Sequence, residues 1–248
     1  MIFDSSFDNK KLLVIIPHPD DDLLGTGGLL VKYAKNIDTI CVSSSGIPSI
    51  DGVYSAEERN KMRIYEWNEV MKLLNVNSTY INSTWGGDFP FINQLNKSME
   101  KLLREIDLSK YDYVFIPGFL ENHEEHRWVT YTFMNKLLKS QKHKKGLKIV
   151  TYEVWALLPR VTDYLDISKE MDKVLELFQI YESQLKYVDY DKRLEGLARY
   201  RGLMASRVAY AEAYAAMSVF KYKFIRLILN TGLNLKKLRR KLRDKSEG

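Results

Sequence analysis

The sequence predicts an α/β fold in which a largely parallel sheet is covered by helices on both faces. Three observations support this prediction: short apolar segments that end in loops, helical patterns between them, and glycine or proline at several junctions. Strands separated by helices need crossover connections, which place successive strands parallel in one sheet. The segments are apolar throughout, so both faces of the sheet should be buried. We therefore expect a Rossmann-like arrangement followed by a helical C-terminal part.

Five segments are predicted to be strands. The first, residues 11–17, is the apolar run KLLVIIP, which ends in a loop at His18. A short apolar run followed by a loop is typical of a strand buried on both faces. Residues 113–117, YVFIP, repeat this pattern farther along the chain. The other predicted strands are residues 39–44, 79–82 and 148–152.

Helical patterns occupy the segments between these strands. Ser55 and Glu58 have the spacing of a capping box, in which each side chain bonds the backbone amide of the other residue. They should begin a long helix that runs toward Leu74. The other predicted helices are residues 91–106, the segment after His126, and residues 167–185 and 192–214.

Length and composition indicate one folded domain, which we place at residues 1–220. The chain has 248 residues, 45% of them hydrophobic, and no run approaches the ~20 apolar residues that cross a bilayer. The first residues lack the basic start and long apolar run of a signal peptide. The single cysteine, Cys41, cannot form an intrachain disulfide, which fits a reducing compartment. We therefore expect a cytoplasmic location.

The net charge of +6 is concentrated near the C-terminus. Residues 221–245 hold ten of the 38 basic residues and one of the 32 acidic residues, which leaves 28 basic against 31 acidic. Nucleic acid is therefore not an expected partner, because the basic charge is local. Residues 221–248 are predicted to form a basic amphipathic tail. It has two interpretations: peripheral contact with the inner membrane face, or docking on the domain or on another subunit of a homo-oligomer.

Three of the four histidines lie in two loops that follow predicted strands. Residues 18–22, His-Pro-Asp-Asp-Asp, follow the first strand, and residues 122–126, Asn-His-Glu-Glu-His, follow the strand at 113–117. Ligands of open α/β sheets bind beyond the carboxyl ends of the strands. Adjacent carboxylates repel one another unless a cation or hydrogen bonds compensate, and imidazole and carboxylate are ligands of catalytic zinc. The two loops together predict a metal site.

Each loop considered alone has a simpler interpretation. Residues 18–22 have the composition of a solvated acidic turn or a helix N-cap. Residues 123–126 have that of an exposed polar first turn of a helix. His123 and His126 are three residues apart, whereas the zinc-protease motif His-Glu-x-x-His needs a separation of four. A zinc protease is therefore not predicted.

Glycines 25, 27 and 28 follow the first strand but do not complete a dinucleotide-binding fingerprint. That fingerprint needs a third glycine at position 30, which is Leu30 here. A nicotinamide cofactor is therefore not expected. We expect these glycines to let the helix backbone approach the acidic loop closely, because they carry no Cβ.

The two loop motifs resemble those of the PIG-L/LmbE family of zinc-dependent N-acetylglucosamine deacetylases. Residues 17–22 resemble the family's Ala-His-Pro-Asp-Asp-Glu, and residues 123–127 resemble its His-Pro-Asp-His-Arg. The resemblance covers about residues 10–215 in the family's order. Asp22 replaces the usual Glu, Pro17 the usual Ala, and Glu124-Glu125 the usual Pro-Asp. Further matches are Arg63, Glu66, residues 181–184 and residues 210–214.

The resemblance implies a role for each candidate residue. His18, Asp21 and His126 would bind zinc, with ferrous iron as the alternative metal. Asp20 would be the general base, and His123, held by Glu125, would stabilise the oxyanion. Arg63 would contact the substrate; its alternative is a helix-surface salt bridge with Glu66, three residues on.

The implied function is removal of the N-acetyl group from an N-acetylglucosamine-type sugar or sugar conjugate. Two alternatives stay open: a metal hydrolase of another amide or an ester, and a non-catalytic tail-anchored protein with a decayed site. We expect the loops at residues 44–54 and 82–91 to recognise the group attached to the sugar.

Overall fold

The computed structural model describes residues 7–43, 51–81, 90–140, 143 and 145–222. The tail from residue 223, and most of the two loops expected to recognise the aglycone, lie outside the described residues. No helix in the described part of the chain has the length and apolar character that a membrane span requires.

The described ranges form one seven-stranded sheet in the order β3-β2-β1-β4-β5-β7-β6. Strands β1 to β5 are parallel to one another, whereas β7 is antiparallel to both β5 and β6. The prediction of a largely parallel sheet is therefore confirmed. The strands are β1 Leu12–Ile16, β2 Ile37–Cys41, β3 Asn77–Tyr80, β4 Tyr113–Pro117, β5 Lys148–Tyr152, β6 Asp163–Asp166 and β7 Ala211–Ser218.

Helices connect the strands and cover the sheet. The predicted capping box is confirmed: Ser55 Oγ accepts a hydrogen bond from the Glu58 amide (3.2 Å), and Glu58 Oε2 accepts one from the Ser55 amide (2.8 Å). The helices are α1 Asp21–Tyr33, α2 Ala56–Leu74, α3 Pro90–Glu105, α4 Glu124–Ser140, α5 Met171–Phe178, α6 Glu182–Leu185 and α7 Tyr190–Met204.

Strand β1 shows how the core is divided. All five of its residues are fully buried, and they alternate between two hydrophobic clusters. Val14 packs with Trp67 of α2 in one cluster, and Ile15 packs with Phe133 of α4 in the other. Because side chains of a strand alternate between its faces, an unbroken apolar run is what a doubly covered strand needs.

The C-terminal part is less helical than predicted. The helix expected over 192–214 ends at Met204, and the sheet gains β6 and β7, which were not predicted. Ser206 and Arg207 have φ values of 60° and 66°, so the backbone leaves the helix there without a glycine or proline to mark the end. Strand β7 is rich in alanine, a strong helix former, and pairing with β5 and β6 overrides that local preference.

The glycines of α1 make a different contact from the predicted one. A Cβ on Gly25 would lie 2.3 Å from the Tyr152 ring, and one on Gly28 would lie 2.1 Å from the Ile167 side chain. They therefore permit close packing on β5 and on the segment after β6, not on the acidic loop. The backbone of helix α1 is non-helical at Thr26, and the Glu212 carboxylate accepts a hydrogen bond from the buried amide of Gly28 (2.6 Å).

Candidate active site

The two predicted loops meet at one edge of the sheet. Strands β1 and β4 are neighbours, with Leu12 paired to Tyr113, so the segments that follow them emerge side by side. His18 and His126 are 108 residues apart in sequence, yet their ring centroids lie 5.1 Å apart. The structure therefore brings the two histidine-containing loops together, as the strand pattern predicts.

Three side-chain atoms form a tight triangle in this cluster. Asp21 Oδ2 lies 3.1 Å from His18 Nδ1 and 3.0 Å from His126 Nε2, and the two nitrogens are 3.2 Å apart. Ligand atoms about 2.0–2.1 Å from a tetrahedral zinc ion would be roughly 3.3–3.4 Å apart. The donor types and their spacing therefore fit a metal ion with little movement. His123 can also place a ring nitrogen within 4.8 Å of nitrogens of the other two histidines.

His18 and His126 each have a carboxylate near the ring nitrogen that points away from the triangle. Glu125 Oε2 makes a short contact with His18 Nε2, and Glu121 Oε2 lies 3.8 Å from His126 Nδ1. The expectation that Glu125 holds His123 is corrected here, because the bond described for Glu125 is to His18. Glu125 is in a position to orient the His18 ring, because a bonded carboxylate fixes an imidazole and raises its basicity as a metal ligand. Glu121 lies beyond hydrogen-bond distance of His126 Nδ1, so it acts on that ring through its charge alone.

Glu121 is a site residue that the sequence analysis missed. It is 2% exposed, and its carboxylate accepts hydrogen bonds from the backbone amides of Val154 (3.1 Å) and Trp155 (2.9 Å). It therefore joins the segment after β5 to the histidine cluster. The only sign of this role in the sequence is its place in the loop after β4, beside Asn122 and His123.

The charges of the triangle favour a bound cation. Burial alone would raise the pKa of Asp21, but His126 and His18 lower it far below its ordinary value, so Asp21 is ionised. Burial would lower the pKa of His18, but Asp21 and Glu125 together raise it to about 9. His18 is therefore protonated at neutral pH, and a metal ion that bound its ring would have to displace that proton.

Asp20 lies beside the triangle in a strained backbone conformation. Its φ of 99° falls in the region that favours glycine, and such strain persists only where neighbouring contacts fix it. Arg63 Nη2 donates to Asp20 Oδ1 (3.1 Å), and the Asp20 amide donates to Asp22 Oδ1 (3.0 Å). Burial raises the pKa of Asp20 to about 7, against the lowering effect of Arg63. Such a carboxyl group can both accept and return a proton near neutral pH.

Arg63 and Glu66 lie on the inner face of α2, each 6% exposed. Arg63 Nη2 donates to the Pro19 carbonyl (2.7 Å) as well as to Asp20, and Glu66 accepts from the Ser183 amide (2.7 Å) and hydroxyl (2.6 Å). The alternative of a helix-surface salt bridge between them is therefore wrong. Arg63 fixes the acidic loop, and Glu66 fixes the start of α6.

His123 faces the same cluster and is half-buried. Its ring centroid lies 4.7 Å from that of His126, and its Nδ1 has no hydrogen-bond partner among the described residues. Burial, with His18 and His126 nearby, lowers the pKa of His123 to about 4. The ring is therefore neutral at pH 7, which favours a hydrogen-bond donor over an imidazolium.

Comparison with known proteins agrees with this geometry. The PIG-L family, described as GlcNAc-PI de-N-acetylase, matches residues 13–137, which is half of the chain and holds both loops of the site. The chain belongs to the PIG-L family. The resemblance inferred from the loop motifs is thus confirmed.

Two relatives of this PIG-L member are deacetylases of N-acetylated sugars. A diacetylchitobiose deacetylase of Thermococcus kodakarensis is 27% identical over 101 residues, a match that spans 40% of this chain and only 38% of that protein. The structure of N,N'-diacetylchitobiose deacetylase from Pyrococcus horikoshii, in complex with its inhibitor MPG, has a TM-score of 0.73. It is 22% identical, and the alignment covers 89% of both chains.

The same fold also occurs with another activity. GalB, a 4-carboxy-2-hydroxymuconate hydratase from Pseudomonas putida KT2440, has a TM-score of 0.65 and 17% identity, over 84% of this chain and 96% of that one. At these identities the likeness shows the fold alone. The fold therefore does not identify the reaction of this PIG-L member, which depends on its own side chains.

Proposed function

We propose that this PIG-L member is a metal-dependent N-deacetylase that hydrolyses the acetamide of an N-acetylglucosamine-type sugar or sugar conjugate. The main support for this proposal is the triangle of His18 Nδ1, Asp21 Oδ2 and His126 Nε2, with the Asp20 carboxyl group beside it. Membership of the PIG-L family and the two diacetylchitobiose deacetylases support this substrate class.

His18, Asp21 and His126 would hold the metal. Zinc is the preferred ion, because two imidazoles, one carboxylate and an open position are a common catalytic zinc site; ferrous iron is the alternative. A metal ion held by these residues would supply Lewis-acid polarisation of the acetamide carbonyl and would make water a stronger nucleophile near neutral pH. Glu125 and Glu121 would act as positioning residues, since each faces the outer nitrogen of a ligand histidine.

Asp20 would move the proton. As a water molecule attacks the acetamide carbon, the Asp20 carboxylate accepts the proton that the water loses. When the C–N bond breaks, Asp20 returns that proton to the leaving nitrogen, and the products are acetate and the free amino sugar. Arg63, 3.1 Å from Asp20, keeps part of the Asp20 population ionised despite its burial.

His123 would stabilise the charge that develops on the carbonyl oxygen. Its neutral ring carries one N–H, and such a donor aimed at an oxyanion in a buried site is worth several kcal/mol. Neutrality also explains how three histidines can surround one site without strong mutual repulsion.

The test uses purified protein with its metal, assayed for acetate release from N-acetylglucosamine conjugates and from a panel of other amides and esters. We expect release from the N-acetyl sugars, and a loss of about 10²–10⁴-fold in Asp20→Ala, with the metal content unchanged by elemental analysis. Full turnover in Asp20→Ala would remove Asp20 from the mechanism. Release from the amide and ester panel alone would overturn the proposed substrate class.

A further inference from the structure

Trp155 follows strand β5 and is 38% exposed, although its backbone is held on both sides. The Trp155 amide donates to Glu121 Oε2 (2.9 Å), and the Trp155 carbonyl accepts from Asn122 Nδ2 (3.0 Å). Both partners belong to the loop after β4, which also carries His123. The indole is therefore a large, partly exposed apolar group on a fixed backbone.

Contacts on two sides place Trp155 at the candidate active site. Glu121 Oε2, which accepts the Trp155 amide, also lies 3.8 Å from His126 Nδ1, so one oxygen atom separates the Trp155 backbone from a proposed metal ligand. On the other side, the Trp155 ring packs edge-to-face against Tyr190 of α7, with ring centroids 5.7 Å apart. Burial, and then the nearby charge of Asp20, raise the pKa of Tyr190, so Tyr190 lies close to the acidic loop. Trp155 therefore lies between the His126 side and the Asp20 side of the site.

A pyranose ring of the glucosamine type has a surface that complements an exposed indole. Its ring substituents are equatorial, so each face of the ring presents axial C–H groups. The face of an aromatic ring carries partial negative charge, which attracts the partial positive charge of such hydrogens. An indole that its neighbours already hold in place also loses little conformational freedom when a ligand binds. Trp155 is thus suited to hold a sugar ring.

We infer that Trp155 binds the pyranose ring that carries the acetamide, with that ring stacked on the exposed part of the indole. The inference rests on the proposed function, which places the acetamide at the metal triangle and Asp20. Tyr190 is then a positioning residue, because it packs against the indole from the side of the acidic loop. Glu121 has two tasks, since the same carboxylate oxygen faces His126 and fixes the Trp155 backbone.

The test measures kcat and KM for acetate release from methyl N-acetylglucosaminide, with the full-length, metal-containing protein. Trp155→Ala should raise KM about tenfold and change kcat by less than about threefold, because stacking on the sugar ring stabilises bound substrate and transition state alike. Trp155→Phe keeps an aromatic face and should recover most of the loss. Both substitutions leave the two backbone hydrogen bonds in place, and elemental analysis should find the wild-type metal content.

Trp128→Ala is the matched control. Trp128 is 36% exposed, much like Trp155, and its indole nitrogen donates to Glu124 (3.2 Å) on the preceding turn of α4. It follows the buried His126 by two residues, so its side chain leaves the helix about 200° away from that histidine. This variant should keep the wild-type KM. An unchanged KM in Trp155→Ala, no recovery in Trp155→Phe, or the same increase in Trp128→Ala overturns the stacking role, while acetate release still supports the deacetylase.

If the wild type releases no acetate from N-acetylglucosamine conjugates, the proposed function fails, and direct binding decides the inference. Calorimetry with methyl N-acetylglucosaminide and the metal-containing protein should give a Kd that rises about tenfold in Trp155→Ala and returns toward the wild-type value in Trp155→Phe. No binding to the wild type, or equal binding by Trp155→Ala, overturns the inference.

Discussion

The two halves of the molecule contribute to the candidate site in different ways. The amino-terminal half, in and just after the loops that follow β1 and β4, supplies the proposed metal ligands and catalytic groups: His18, Asp20, Asp21, His123 and His126. The carboxyl-terminal half supplies groups that hold this constellation. Tyr181 donates to both oxygens of Asp22 at 2.8 Å, and Ser183 donates to Glu66. The comparison indicates that chemistry is concentrated in short local motifs, whereas support arises from contacts over long sequence separations.

The largest expected effect comes from removing a proposed metal ligand in the amino-terminal half. His126→Ala should lose the metal and reduce acetate release by at least about 10³-fold, because two of the three ligand atoms cannot retain a catalytic ion. Elemental analysis beside the acetate assay checks both parts. His123→Ala is the comparison: metal retained in this variant supports an oxyanion role, and metal lost would make His123 a ligand.

A smaller effect is expected from the carboxylates behind the histidines. Glu125→Gln and Glu121→Gln should each reduce metal affinity or activity about 10–100-fold, since each removes a charge that faces a ligand imidazole. Glu121→Gln should also loosen the segment after β5, because its carboxylate accepts the amides of Val154 and Trp155. Metal titration and amide hydrogen exchange measure the two consequences. Unchanged affinity in both variants would show that the imidazoles need no such partner.

The smallest expected effect comes from a buried carboxyl group of the carboxyl-terminal half, Glu212, which accepts hydrogen bonds from α1. Burial raises the pKa of Glu212 from 4.5 to about 7, although Tyr214, Gly28 and Leu29 donate hydrogen bonds to it. A carboxyl group with a raised pKa favours folding below its ordinary pKa, and this contribution is lost as pH rises through about 7. Between pH 6 and pH 8 the free energy of unfolding should therefore fall by about 1 kcal/mol more in the wild type than in Glu212→Gln. Urea titrations at the two pH values measure the free energy of unfolding of both proteins. An equal decrease in the wild type and in Glu212→Gln would contradict the prediction.

The amino-terminal elements were predictable because their signals are local. Each of these signals lies within about ten residues of sequence. They are the continuous apolar run of β1, the capping box at Ser55 and the His-Asp loop. Helix α2 begins where the capping box places it. The two histidine-containing loops meet because β1 and β4 are adjacent parallel strands, whose carboxyl ends lie at the same end of the sheet.

The carboxyl-terminal elements were missed because distant contacts decide them. Strand β7 has an alanine-rich sequence that favours helix locally, and only its pairing with β5 and β6 makes it a strand. The position of Glu121 near His126 and the contact of Glu125 with His18 depend on side-chain directions, which the spacing of residues in the sequence does not specify. The ion pair of Glu153 and Arg201, which joins the end of β5 to α7, likewise has no local signature.

The adjacency of β1 and β4 has a consequence for biosynthesis. His18 and Asp21 are made early, but His126 follows more than one hundred residues later, after α2, β3 and α3. A nascent chain therefore has no complete set of the proposed ligands until β4 has inserted beside β1, and on this proposal metal binding follows assembly of the central sheet. Mass action then favours the assembled state, because an ion that binds only the native triangle draws the folding equilibrium toward it. Scarcity of the metal should consequently lower the yield of folded protein as well as its specific activity.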